Sequence, residues 1–508
     1  MESRIKNTKR NLVSGFLRQG ANILLPFLTR TMVLYLLGAK YQGLSSLFHS
    51  ILHVLNLADL GFTTAIVFVL YKPVALDDHE SICAILAYLR KIYWIIGAVF
   101  LLGGLFAMPF LPSLISGSYP QDLNIYLLFF IYLIDTSLSY MLFGYKSVLL
   151  TAMQRDDVVN NIYTFSSTLL RIAQVIILFI AKDYMLFVAL MPLCTLLNNF
   201  LTQYFANKFF PHLKPLGQID KTTKEKIMRQ VKGIVVDRIG DTARNSMDSI
   251  FLSAYLGLTT VAIYDNYYYI YSALYGITLM IINAMQASVG NSIVKESVEK
   301  NYRDLFKFTF IFEWICGWMA ICMCCLYQPF MVLWLRDAKM IFPNYIMVMF
   351  CLYFYLITMN NTRNLYTSGA GLYWEMRVWY IVEAIGNIVL NATLGYFYGV
   401  TGIILATIIT IVLFNFIARN AVLFAHYFKC SSREFYVKHG TYALITIVNG
   451  GITYFLTRLV PIDGFIGFII MIVLCAIIPH LLYYLAYRKS DSYQEMVAFV
   501  KTVIKVKH

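Results

Sequence analysis

The chain has 508 residues, 59% of them hydrophobic and only 13% charged, with a mean hydropathy of +0.66. Soluble proteins carry about 25% charged residues, so this composition excludes a soluble or secreted globular protein and describes an integral membrane protein. The net charge of +14 would suit a nucleic-acid binder, but its distribution along the chain places it at a membrane surface instead.

The opening MESRIKNTKR is basic and lacks a short apolar core with a small-residue cleavage site, so it reads as a retained cytoplasmic tail. Apolar runs long enough to span then predict helices near 11–37, 42–71, 88–110, 123–150, 160–181, 184–206, 233–256, 260–289, 306–333, 341–361, 376–397, 401–427, 439–460 and 463–487. The expected fold is all-α and polytopic, with about 14 transmembrane helices. Arg18 and Arg30 interrupt the first helix, and Pro26 should kink it. The longest internal linker, 207–232, is polar and basic. It separates an N-terminal lobe (1–206) from a C-terminal lobe (233–430), leaving 431–508 for two further helices and a cytoplasmic amphipathic segment near Tyr493–Val506. A faint repeat supports this division. Leu37-Gly38 with Gly43 five residues on, between helices one and two, matches Leu256-Gly257 with Ala262, between seven and eight.

Loop cations set the orientation. Alternate segments (1–10, 72–91, 146–155, 208–232, 295–307, 363–377, 429–438 and 488–507) hold thirty of the 41 Lys and Arg, whereas the opposite loops hold Lys40, Lys182, Arg336, Lys339 and Arg458. The bias puts both termini in the cytoplasm and the basic excess against anionic lipid. The external loops are too short to hold a folded catalytic domain. The nine cysteines show neither zinc spacing nor a disulfide framework and read as packing residues. His49 and His53 sit at i, i+4 without an evident third ligand, so no metal site is expected. No Walker loop, nucleophile elbow or zincin motif occurs, which leaves neither an ATP site nor an enzyme, and no cofactor beyond a proton gradient, a sodium gradient or the membrane potential.

The most unusual stretch is 226–257, KIMRQVKGIVVDRIGDTARNSMDSIFLSAYLG. On a helix Asp237, Asp241, Arg244 and Asp248 share one face, flanked by Arg238. A charge at the bilayer centre costs about 2.5–3.5 kcal/mol on insertion scales, so this face must meet a water-filled cavity or polar partners. Either it walls a cavity that binds an anionic headgroup through Arg238 and Arg244, with the carboxylates as counter-charges, or it is an internal ion-pair ladder. Arg18 and Arg30 lie on roughly one face of helix one and would add cations suited to phosphate, unless Arg18 snorkels to the inner interface. Asp59, Asp135, Asp237, Glu313 and Glu383 are carboxylates in or beside apolar runs and are candidates for ion coupling, with Arg171 and Arg419 as available partners for two of them. The run Tyr264, Tyr267, Tyr268, Tyr269 and Tyr271 reads mainly as an aromatic belt. Asn387 and Asn391, with the run Asn360-Asn361-Thr362-Arg363, suit an inner vestibule or interhelical hydrogen bonds.

A set of strings in fixed order, LLGAKYQGLSSLF (36–48), LADLGF (57–62), LYKP (70–73), MDSIFLSAYLGL (247–258), YDNYYYI (264–270), ASVGN (287–291), PFMVLW (329–334), GAGLYWE (369–375), EAIGNIVLN (383–391) and YGVTGI (398–403), resembles the polysaccharide (Wzx-type) flippases of the multidrug/oligosaccharidyl-lipid/polysaccharide exporter superfamily. The likeness spans about residues 1 to 440. It implies two six-helix lobes around a central cationic cavity, with two extra C-terminal helices. It also implies transfer of polyprenyl-pyrophosphate-linked oligosaccharide from the inner to the outer leaflet of a bacterial cytoplasmic membrane, for capsule- or O-antigen-like polysaccharide. The pyrophosphate would then meet Arg18, Arg30, Arg238 and Arg244, with Asp241 and Asp248 beside them. Ser249 stands where the family's string has Asn. The rival readings are an ion-coupled drug exporter of the same superfamily and a membrane glycan polymerase. The first wants a net negative cavity, and the second a large external loop.

Overall fold

In the computed structural model the described residues are 2–56, 62–459 and 464–505. They form helices α1 (Glu2–Leu36), α2 (Ala39–Leu55), α3 (Phe62–Ala75), α4 (His79–Ala107), α5 (Ile125–Met141), α6 (Tyr145–Ala152), α7 (Asp156–Ile180), α8 (Tyr184–Phe209), α9 (Lys221–Leu256), α10 (Leu258–Lys295), α11 (Val298–Leu335), α12 (Asn344–Met359), α13 (Asn361–Gly369), α14 (Tyr373–Thr410), α15 (Arg419–Leu423), α16 (Arg433–Arg458), α17 (Gly464–Tyr487) and α18 (Asp491–Lys505). Among the described residues there is no strand. Each predicted span has a helical counterpart with shifted ends. The run 42–71 divides into α2 and α3, and 123–150 bends by 46° between α5 and α6. The last residues of 341–361 start α13. Gly399, at φ 57° and ψ −133°, interrupts α14 at the boundary that hydropathy sets between helices eleven and twelve. Eight helical stretches among the described residues are apolar and long enough to cross a membrane alone, or nine if α5–α6 is one span. The polar α1 and α9, like the short α2, do not qualify by themselves.

Local chemistry explains the helix starts. Asp78, Asn124, Asp183, Asp220 and Ser297 each accept a hydrogen bond from a backbone N–H in the first turn of α4, α5, α8, α9 and α11, satisfying a donor that the helix leaves open. The repeat seen in the sequence has a backbone counterpart. Gly38 (φ 106°, ψ 173°), before α2, and Gly257 (φ 80°, ψ 173°), before α10, adopt the same conformation, which is close to exclusive to glycine.

The chain divides into two compact units, Met1–Ala262 and Ile263–His508. In the first, α1 packs along α7, α7 along α8, and α5 against α4 and α8, while α9 packs against α2 and α3. One apolar core joins Phe48, Phe100, Phe129, Tyr132, Leu178 and Val188. A second, under the linker, joins Leu86, Leu149, Leu213, Ile227 and Val231. The linker predicted as polar is thus pinned by Leu213, whose carbonyl also accepts from Lys146 Nζ at 3.3 Å. In the second unit α11 is the hub, packed against α12, α16, α17 and α18. Exposed Phe465, Ile466, Ile469, Ile472, Val473 and Ile477 line α17 and leave it an apolar surface suited to lipid.

Candidate functional site

The first unit carries a polar seam between α1 and α7. Arg10 pairs with Asp157 at 2.9 Å, and Asn11 Oδ1 accepts the Asp157 backbone N–H at 3.1 Å. Two turns on, Arg18 donates to Asn160 Oδ1 at 2.9 Å and lies over the Tyr163 ring, 4.4 Å from its centroid. Further along, Arg171 donates to Gln174 Oε1 at 3.0 Å and approaches Thr29 Oγ1 at 3.5 Å. Arg30, one residue beyond Thr29, is half-buried and engaged with its surroundings. Arg10 and Arg18 of α1 therefore lie along the seam with α7, where Arg18 is held by Asn160 and Tyr163. Asp135 on α5 accepts from Thr195 Oγ1 on α8 at 2.5 Å. Asp135 and Arg171 both lie near Tyr132 and Cys194, so the two side chains share one neighbourhood.

The charged face of the seventh predicted helix falls on α9. Arg244 is 7% and Asp248 3% exposed, and both are engaged with neighbours. The same stretch buries Thr242, Ser246, Ser249 and Ser253. Ser246 Oγ and His53 Nδ1 of α2 are hydrogen-bonded at 2.8 Å. His53 is thereby tied to α9, while His49 stands edge-on to Tyr132 at 5.2 Å. The side chains of Asp237, Arg238 and Asp241, and the whole of Asp59, lie outside the described residues. A cavity of about 600 Å³ opens between the α3–α4 turn and the linker, lined by Lys72, Asp78, Glu80, Asp220 and Lys226 and by none of the predicted site residues.

The second unit holds buried charge of two kinds. Glu383 of α14 forms an ion pair with Arg419, which also lies 3.9 Å from the Tyr380 ring centroid. That pairing is open in the sequence because the partners are 36 residues apart. Next to it is Arg363, which the loop count places among exposed inner cations. It is instead fully buried and donates to the backbone oxygen and, at 2.7 Å, the Oδ1 of Asn415. The polar run Asn360–Arg363 is the one sequence signal for its burial. Asn387 donates to Thr407 Oγ1 across the Gly399 break of α14 and accepts from Asn391 one turn on, each at 3.2 Å, so only the Asn387–Thr407 bond ties one part of α14 to the other. Glu313 of α11 has no ion pair among the described residues. Its Oε1 accepts from Tyr355 at 2.6 Å and Thr446 at 3.0 Å. The tyrosine run is also different from a lipid-facing belt. Tyr264, Tyr267 and Tyr271 are at most 2% exposed and stack among Tyr327, Phe350 and Tyr353.

Arginines and carboxylates are thus buried within the helices of both units, and the fold that holds them is shared with known structures. It superposes on the lipid II flippase MurJ in an inward closed conformation with a TM-score of 0.66 at 13% identity, covering 94% of this chain and 98% of that one. It also matches an inward-facing multidrug resistance MATE transporter of the MOP superfamily (0.62, 13%, 80% and 98%) and a MOP superfamily transporter from Pyrococcus furiosus (0.54, 13%, 82% and 96%). The chain shares the fold of these proteins. The family model described as polysaccharide biosynthesis protein matches residues 8–287, more than half of the chain, and the protein belongs to that family. No curated protein matches it.

Proposed function

We propose that this protein is a flippase for polyprenyl-pyrophosphate-linked oligosaccharide, moving repeat units from the inner to the outer leaflet of a bacterial cytoplasmic membrane for surface polysaccharide assembly. The observation that carries the reading is the burial of Arg244 on the polar helix α9, in a stretch that also buries Thr242, Ser246, Ser249 and Ser253, within the family-matching portion. A sugar headgroup bearing pyrophosphate cannot cross hydrocarbon unaided. Arginine, with a planar fork of donors, replaces the water around its oxygens. In this reading Arg18, Arg30, Arg238 and Arg244 contact the anion. Asp241 and Asp248 keep those cations oriented when cargo is absent. Lobes 1–206 and 233–430 alternate access, with both termini cytoplasmic, while the prenyl tail stays in lipid. Uphill movement draws on a proton or sodium gradient or the membrane potential. The fold likeness to a lipid II flippase supports a lipid-linked cargo.

The test is inside-to-outside transfer of a lipid-linked oligosaccharide in proteoliposomes, scored with an impermeant sugar-modifying enzyme. Arg244→Ala should lower the rate by at least about 100-fold, the loss of a charge-assisted pair of hydrogen bonds, and Arg244→Lys should recover only part of it. Normal transfer by a well-folded Arg244→Ala protein refutes the assignment. Transfer of small organic cations with no activity on the lipid-linked sugar would favour the exporter reading.

A further inference from the structure

Most charges inside the described spans have partners of opposite or complementary character; Glu313 has none of opposite charge. Its carboxyl is 1% exposed, and among the described residues no Lys or Arg stands within ion-pair distance. It lies where the C-terminal helices α16 and α17 meet α11. Tyr355 of α12 and Thr446 of α16 both donate to Oε1, and the Thr446 hydroxyl is bonded in turn to Tyr483 of α17 at 2.8 Å. Oε2 is buried without any hydrogen-bond partner. One turn on, Gly317 lets the helices close. A Cβ there would collide with the Tyr483 hydroxyl and meet Thr446 Oγ1 at 3.1 Å. The seam has no room for a side chain and no cation.

An isolated carboxylate in such a place costs several kcal/mol, and two hydroxyl donors on one oxygen do not offset it. The same carboxyl with a proton on Oε2 is neutral and leaves a single unpaired O–H. The two forms therefore favour different seams: the protonated acid fits the closed one, and the carboxylate needs water at Oε2, which the closed packing excludes. A sodium ion is a poor alternative occupant. Tyr355 and Thr446 turn their protons inward, so only Oε2 is open to it, and a hard cation wants several oxygens.

The geometry points to Glu313 as a proton-binding site whose occupancy holds the α16–α17 pair seated on α11. Hydronium delivers the proton to Oε2. Its loss admits water and loosens the seam, and by linkage any movement of α16–α17 that wets Oε2 releases the proton. The other titratable groups around it are Cys316 on α11, Tyr355 on α12, Tyr442 and His439 on α16, and Tyr483, Tyr487 and His480 on α17. His480 accepts from Trp314 Nε1 at 2.9 Å, and His439 is wedged against Phe435 and Phe416. Neither is bonded to Glu313, so their titration is separable from it. This inference concerns the resting protein and does not depend on the cargo.

The test uses the full chain in lipid nanodiscs without substrate. Infrared difference spectra are taken as the bath goes from about pH 5 to about pH 9, which brackets the range in which a buried carboxyl titrates. Hydrogen exchange of the 475–487 segment is followed in parallel. A protonated-carboxyl band should be present at the acid end, vanish toward the alkaline end and be absent throughout in Glu313→Gln. Exchange of the segment should rise with loss of the band in the wild type and stay low in Glu313→Gln, whose amide mimics the neutral acid. Thr446→Val keeps the carboxyl but removes one donor, so it should shift the midpoint by about one pH unit and serves if the glutamine variant does not fold. A band unchanged at every pH, no band at any pH, a band that titrates without any change in exchange, or a midpoint that follows sodium concentration would each overturn the proposal.

Discussion

The Glu383–Arg419 pair allows a quantitative test of how the second unit tolerates charge. The glutamate is 1% exposed and the arginine side chain 6%, so neither is solvated. Asn415 Nδ2 also reaches the Glu383 carboxylate, at 3.5 Å, the limit of a useful hydrogen bond. Arg419→Ala removes the ion-pair partner of a buried carboxylate, which should cost about 3–5 kcal/mol. Glu383→Leu alone strands the guanidinium, although the Tyr380 ring beneath it offsets a part through the cation–π contact, so the loss should be nearer the lower end. The double variant Glu383→Leu/Arg419→Met removes both charges and keeps the volume. It should recover most of the stability, giving a coupling energy of at least about 2 kcal/mol. The assay is unfolding in mixed micelles with increasing SDS, followed by tryptophan fluorescence, for the four proteins of the cycle. Additive losses, within about 0.5 kcal/mol, would show that the two groups do not form a closed pair and would refute the reasoning.

The two repeat glycines give a comparative prediction. A Cβ at position 38 would meet nothing within 4 Å, so Gly38→Ala costs backbone strain alone, about 1–3 kcal/mol. Gly257→Ala adds a collision with the Ser116 carbonyl at 2.6 Å and should be the more destabilising of the two in the same unfolding assay; equal losses would contradict the close approach. At the surface, the Thr222 and Thr223 hydrogen bonds to the α9 cap Asp220 hold its carboxyl down at about 2. Because the folded value lies below the ordinary one, the cap's contribution is fully present above about pH 4 and fades as the pH falls toward about 2. Amide exchange at Thr223 should therefore rise in acid in the wild type and be insensitive to that range in Asp220→Asn.

What the sequence makes legible follows from what a bilayer demands. Hydropathy locates most of the helices, because a spanning segment must bury its backbone hydrogen bonds internally and show apolar side chains to lipid. The Leu37-Gly38 and Leu256-Gly257 match is legible too, and both glycines adopt the positive φ that explains why glycine stands there. Pairings across the sequence are not legible. Nothing local in EAIGNIVLN says that Glu383 meets Arg419, or that Arg363 at the end of a polar run reaches Asn415. The tyrosines show a different failure. Residues 264, 267 and 271 follow the i, i+3, i+7 spacing of a buried helix face, and that periodicity outweighs the aromatic composition that suggests an interface.

The way each buried charge is satisfied separates structural roles from functional ones. Asp157 and Glu383 are closed by Arg10 and Arg419, and a group whose charge is already matched gains little from a transported ion. Arg18 is half-way: Asn160 and Tyr163 are neutral, so they orient the guanidinium without cancelling its charge, and an anion can still be drawn to it. Glu313 is the opposite extreme, a carboxyl given two hydroxyl donors and no cation. Ion pairing lowers the cost of burying charge and lowers its reactivity with it. Arg18 and Glu313 carry charge that their neutral partners do not cancel, which supports the proposed places of Arg18 with the cargo and Glu313 with the proton.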